Sequence, residues 1–197
     1  MPRRSFDKAY YDRFYRDART RVATRSDFVL LGRFVCSYLK YVGQPVESVL
    51  DLGCGLGHWR EIARRHFPRA SYTGVEISPY LCREYGWERG SVVDYGSDRR
   101  FDLVICQGVL QYLDAGQAKT AIRNLGRLCR GALYLEVLTR EDWTQACDQE
   151  RTDGDVYLRD AAWYRRELGR EFAGIGGGVL LSPDSPAVVY ALERSFP

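Results

Sequence analysis

The run Ser48-Val49-Leu50-Asp51-Leu52 passes directly into Gly53-Cys54-Gly55-Leu56-Gly57, and this junction constrains the fold more than any other part of the chain. Five mostly apolar residues bounded by glycine read as a buried strand. Three glycines at alternate positions then let the backbone turn sharply and approach a ligand where a Cβ would otherwise stand. A helix over residues 58–67 follows. Strand, glycine turn and helix in that order open a parallel sheet with crossover helices.

The rest of the chain keeps that alternation. Strands are expected at residues 72–76, 91–94, 101–106 and 132–138, with Pro79 as the first residue of the helix after the second strand. Asp114 is placed to cap a long helix reaching about Cys129. Only six residues separate Asp94 from Phe101, so the crossover helix there is expected to be shrunken or absent. A last helix over residues 160–172 leads to residues 176–181. The turn Pro183-Asp184-Ser185-Pro186 then returns the chain into residues 187–192, which predicts a closing antiparallel hairpin. Ahead of the sheet, residues 6–21 read as an aromatic-rich helix. Residues 26–41 read as a second helix, with Ser26 or Asp27 as its N-cap and Gly43 and Pro45 ending it.

Composition excludes several classes. The chain has 197 residues and a formal net charge of +3, too balanced for the basic excess that nucleic-acid binding usually needs. Six widely spaced cysteines form no CxxC pair, and His58 and His66 are the only histidines, so neither a disulfide framework nor a metal site is expected. No apolar run reaches the roughly 18–20 residues of a membrane span. Residues 1–8 lack the apolar core of a signal peptide, which points to a reduced, cytoplasmic protein.

In an open α/β sheet, ligands bind beyond the carboxyl ends of the strands. Those ends carry Asp51 with the three glycines, then Glu76, Asp94 and Gln107. Glu76 stands nineteen residues past Gly57, close to the spacing of a carboxylate that accepts both ribose hydroxyls. A dinucleotide loop wants GxGxxG around a pyrophosphate. Here the spacing is GxGxG with an acid two residues before it, which suits a ligand without phosphate that carries an ammonium and a sulfonium. A carboxylate facing a pyrophosphate would repel it.

The segments VLDLGCGLG, GVEIS, SVVDY and FDLVICQGVLQYL, in this order and spacing, resemble the class I S-adenosylmethionine-dependent methyltransferases. The resemblance covers about residues 46–138. It implies a Rossmann-like, seven-stranded, mostly parallel α/β sheet with helices on both faces and the antiparallel hairpin at the C-terminal end. It further implies one domain, with residues 1–44 as a helical cover and 45–197 as the core. By the same resemblance Gly53, Cys54 and Gly55 lie along the homocysteine part of S-adenosylmethionine, and Asp51 helps to bind its amino group. Glu76 takes the ribose hydroxyls, Ile77 packs on the adenine, and Asp94, with Tyr95 beside it, serves the adenine amino group. Gln107 lies next to the methionine portion.

The D/N-P-P-Y motif of many members that methylate nucleic acid or protein is absent, since Cys106-Gln107-Gly108-Val109 stands in its place. The stretch Val109-Leu110-Gln111-Tyr112-Leu113 is closer to small-molecule members, although Tyr112 stands where a histidine is common. The expectation is therefore methyl transfer to an oxygen, nitrogen or carbon of a small molecule, giving S-adenosylhomocysteine, without nucleic-acid, membrane or metal partners. Tyr11, Tyr112 and Trp143 are the substrate-side candidates. Glu136, Glu141, Asp142, Asp148 and Tyr112 are all eligible as a general base, and the sequence does not choose among them. Two rivals stand beside this expectation: a nicotinamide-dependent oxidoreductase, disfavoured by the glycine spacing, and a catalytically inactive S-adenosylmethionine-binding regulatory or scaffold protein.

Overall fold

Strand β1 (Ser48–Leu52) is buried along its whole length, as a central strand covered on both faces must be. It pairs in parallel with β2 (Ser71–Glu76) on one side and β4 (Phe101–Gln107) on the other. Beyond β2 lies the two-residue β3 (Glu88–Arg89), and beyond β4 lies β5 (Cys129–Glu136). The sheet is completed by β6 (Ala173–Gly176) and β7 (Val179–Leu181), giving the order β3-β2-β1-β4-β5-β7-β6. Strand β7 runs antiparallel to both β5 and β6. This computed structural model describes residues 6–193, so residues 1–5 of the polar N-terminus and the last four of the expected core range lie outside the described residues.

Side chains alternate between two cores. Val49 of β1 joins Leu103, Ile105 and Tyr134 against α2 (Arg25–Tyr41) and α3 (His58–His66). Leu50 and Leu52 join Val104 and Leu133 against α5 (Ala115–Leu128) and α7 (Ala161–Leu168). Each fully buried Leu or Ile contributes about 1.5–3 kcal/mol, so these two layers hold the sheet. A third, aromatic cluster lies over the glycine turn, where Tyr11, Cys54, Leu81 and Trp87 meet. Leu81 comes from α4 (Pro79–Tyr85), with Ser78 as its N-cap and Pro79 at its first position as expected.

Several elements depart from the sequence expectation. The helix over residues 6–21 is short: α1 (Lys8–Tyr11) widens into a π-helical turn at Asp12–Arg16 and stops. Asp17 is extended and its carboxylate accepts the Arg19 N–H at 2.9 Å, a local bond that competes with helix. The cap of α2 is Thr24, not Ser26 or Asp27: Thr24 is extended and shares a reciprocal capping box with Asp27.

Residues 91–94 form a turn rather than a strand. The Ser91 hydroxyl accepts from the Val93 N–H and the Ser91 carbonyl from those of Asp94 and Tyr95, which takes the donors a ladder needs. No helix intervenes before β4, and β3 lies earlier, at Glu88–Arg89. The closing hairpin also lies earlier. Gly176, Gly177 and Gly178 all have positive φ and form its turn, and β7 is then flanked by β5 and β6. With both edges of β7 taken, residues 187–192 do not pair with it. Val188 donates its N–H to the Val42 carbonyl at 2.8 Å, and Ala187 and Val189 pack beside the α2–α3 core.

Candidate functional site

The strand order reverses between β1 and β4, so the loops leaving these two strands flank the position at the carboxyl edge where open α/β sheets bind ligands. The glycine turn is one of these loops. The N–H groups of Gly53 and Cys54 both donate to the Val75 carbonyl, at 2.8 and 3.1 Å, which ties the turn to the end of β2. Gly53 has φ +83°, and a Cβ there would come within 2.3 Å of the Val109 side chain from the loop after β4. Gly55, at φ +51°, would place a Cβ no nearer than 3.9 Å to any atom of the chain. Gly53 is thus required by packing, whereas Gly55 leaves open space. Trp87 fixes the turn by donating its indole N–H to the Gly55 carbonyl at 2.9 Å.

Two buried carboxyls converge on this turn. Asp51 is 2% exposed and accepts the Tyr72 hydroxyl at 2.5 Å. Burial pushes its pKa up to about 7; the Tyr72 bond opposes that rise and the Glu76 charge adds to it. Glu76 is 4% exposed, and its oxygens accept backbone N–H groups from Gly55 at 2.9 Å, Ile77 at 2.8 Å and Ser78 at 2.9 Å. A carboxylate offers about four lone-pair sites, so three are already engaged. Cys54 lies beside both acids, and burial together with their charges drives its thiol upward, keeping it protonated.

The remaining expected residues are placed unequally. Ile77 is 51% exposed next to Glu76, which leaves an apolar side chain available to cover a flat ring. Gln107 accepts the Trp59 indole N–H at 2.8 Å and donates to Glu136 at 3.1 Å, and Glu136 also accepts the Tyr134 hydroxyl. Tyr95 hydrogen-bonds Glu88 at 2.7 Å. Asp94 is exposed in the 91–94 turn, and its side chain makes no hydrogen bond among the described residues.

The N-terminal segment packs over the glycine turn and the loop after β4. Tyr11 is buried against Cys54, Leu81 and Trp87. The Tyr10 and Tyr112 hydroxyls are 2.8 Å apart, and the Phe6 ring meets Tyr112 edge-on at 5.2 Å. Ser78 donates its hydroxyl to the Phe6 carbonyl. Arg16 reaches Tyr80 at 2.7 Å and Glu84 at 2.8 Å, pinning the segment to α4. Trp143, on α6 (Arg140–Gln145), instead packs at Gly154, where a Cβ would come within 2.9 Å of its ring.

Sequence reasoning passed over Tyr72, Trp59, Trp87 and Gln111. Tyr72 was the most accessible, because it shares the face of Gly74 and Glu76 on β2, and Gly74 pairs with Asp51. Gln111 is 8% exposed and its side-chain oxygen has no hydrogen-bond partner among the described residues. Nothing in the stretch Leu110-Gln111-Tyr112 signals that burial. The described residues include no cluster able to hold a metal ion and no helix long and apolar enough to cross a membrane.

A family model described as a methyltransferase domain matches residues 50–131. A trans-aconitate 2-methyltransferase of Pseudomonas aeruginosa is 31% identical over 156 residues, 75% of this chain and 49% of that protein. The chain spans about half the length of the curated relatives it matches. Among solved structures, DesVI of Streptomyces venezuelae superposes with a TM-score of 0.63 at 14% identity, covering 82% of this chain and 92% of its own. An S-adenosylmethionine-dependent methyltransferase of Clostridium acetobutylicum gives 0.60 at 14% identity, covering 94% and 93%. At these identities the structural likeness is one of fold.

Proposed function

We propose that the chain, which matches a methyltransferase-domain model over residues 50–131, is a class I S-adenosylmethionine-dependent methyltransferase that moves a methyl group from S-adenosylmethionine to an oxygen, nitrogen or carbon of a small molecule, releasing S-adenosylhomocysteine. The observation that carries this reading is the pairing of an open glycine turn with two buried carboxyls at the strand-order switch point. In this reading the chain is one domain in which the cover is the segment up to Arg16, while α2, expected with it in residues 1–44, packs into the core with the sheet. Six free thiols among the described residues suit a reducing, cytoplasmic setting.

The residues fit the cofactor. Gly55 leaves room for close approach, Asp51 offers a carboxyl to an ammonium, Ile77 an apolar surface to a base, and Glu76 acceptors to a ribose. Bound there, S-adenosylmethionine supplies an activated methyl on a sulfonium. The chain then has to position the acceptor in line and exclude water. Tyr10, Tyr11 and Tyr112 stand at the cover and serve the second task. Glu76 has one lone-pair site left for two ribose hydroxyls, so the Gly55 N–H has to release it when the cofactor enters.

Calorimetry with S-adenosylmethionine, S-adenosylhomocysteine and NAD tests the binding step: the first two are expected to share one site and NAD to be refused. Labelled cofactor incubated with a metabolite extract, and separately with trans-aconitate, then resolved by mass, tests the reaction. The committed Glu76 carboxylate and the absence of a histidine after β4 favour a second reading, a regulatory protein that binds the cofactor without turnover. Appearance of S-adenosylhomocysteine with any acceptor excludes it.

A further inference from the structure

Helices α2 and α3 flank an open cleft of about 180 Å³ on the outer face of the sheet's helical layer. Pockets that take drug-sized ligands run to roughly 300–1,000 Å³ and a water takes about 30 Å³, so this cleft suits a group of a few heavy atoms. Buried Ile62 and half-buried Phe28 give it an apolar wall, and the His58 ring stacks on Phe28 at 4.0 Å. Three arginines line it against one carboxylate. That carboxylate, Glu61, is already paired with Arg25 at 3.2 Å. Arg33 and Arg65 lie in no ion pair among the described residues, although both face the cleft.

We propose that the cleft is an oxyanion site, taking a phosphate or carboxylate group between Arg33 and Arg65. The guanidinium fork matches either group through paired charge-assisted bonds, and an anion relieves the repulsion between two like charges. The histidines report the same field. Burial lowers the pKa of His66, and Lys40, Arg65 and Arg33 lower it further. Burial likewise lowers His58, with Glu61 opposing and Arg25 adding to the effect. Both rings are therefore neutral at pH 7 and able to donate an N–H to an anion. His58 follows Gly57 directly, so an occupied cleft abuts the end of the glycine turn.

The chain has only two histidines, which makes their NMR resonances individually assignable. The full chain is titrated with inorganic phosphate, with citrate, and with chloride at matched ionic strength. Saturable movement of the His66 resonances, with an upward shift of its pKa, is expected with phosphate or citrate but not with chloride. The anion that saturates at the lower concentration identifies the preferred group. Arg33→Gln and Arg65→Gln should each weaken that binding roughly tenfold or more. Both arginines are exposed, so the variants should keep the parent's circular dichroism. Chloride reproducing the effect, or undiminished binding in both variants, overturns the assignment, whatever the outcome with S-adenosylmethionine.

Discussion

Burial holds the Asp51 carboxyl near pH 7, well above the ordinary carboxylate range. Between about pH 4 and 7 the folded chain therefore keeps a proton that the unfolded chain has lost, so stability falls as pH rises through that window. Asp51→Asn should flatten this slope in melting temperature against pH. A cation bound beside Asp51 favours its charged form, so affinity for S-adenosylmethionine should rise with pH up to about 7 and level off, and the Asn variant should lack the rise. At Glu76 the expected loss is larger: Glu76→Ala removes an acceptor for ribose and for three backbone N–H groups. Hydrogen bonds to a charged group are worth about 1.5–3 kcal/mol, so the dissociation constant should rise about tenfold to a hundredfold in calorimetry. Unchanged affinity would remove the ribose assignment. Asp51 and Glu76 were legible because glycine spacing and strand ends fix where such acids must stand. Tyr72, whose hydroxyl bonds Asp51 and opposes the rise that burial causes, could be placed on the face of Glu76 but not assigned that role, because the contact depends on cross-strand register that one strand's pattern does not carry.

Among the elements, β1, β2, β4, α3 and α5 lie within a residue or so of their sequence expectation, since each combines an apolar period with a turn or cap. β5 begins at Cys129 instead of residue 132, and α7 stops at Leu168 instead of residue 172. The elements missed outright are those where side chains capture backbone donors or where another strand takes the edge first: the Ser91 turn, the Asp17 stop and residues 187–192. The N-terminal cover shows the consequence for testing. Tyr11 and Phe14 are buried, each worth about 1.5–3 kcal/mol, so deleting residues 1–21 costs stability as well as cover. Arg16→Gln is the cleaner probe, because it unties the segment from Tyr80 and Glu84 and leaves those aromatics in place. Its surface ion pairs are worth at most about 1 kcal/mol, so the melting temperature should barely move. Amide exchange at residues 11–16 and the association rate of S-adenosylmethionine should both increase. An unchanged association rate would make the segment static packing rather than a cover that opens.

Across the whole molecule, the six cysteines are free, and four of them are buried thiols. Burial pushes Cys36 and Cys129 each up to about 12, so at pH 7 they are neutral and behave as small apolar side chains. The melting temperature should be the same with and without reductant, and a fall under reductant would reveal a bond that stabilises the fold. The two ends of the sheet have a further consequence. Its outermost strands are β3, two residues long, and β6, four residues whose register shifts between Gly174 and Gly176. An unpaired strand edge is a template on which another chain can add a strand, and the usual defence is to make that edge short or irregular. Both edges here are too brief to seed such growth. Chains crowded together would therefore meet through helix flanks such as Leu30 and Phe34 on α2, rather than lengthen one another's sheet into a fibre.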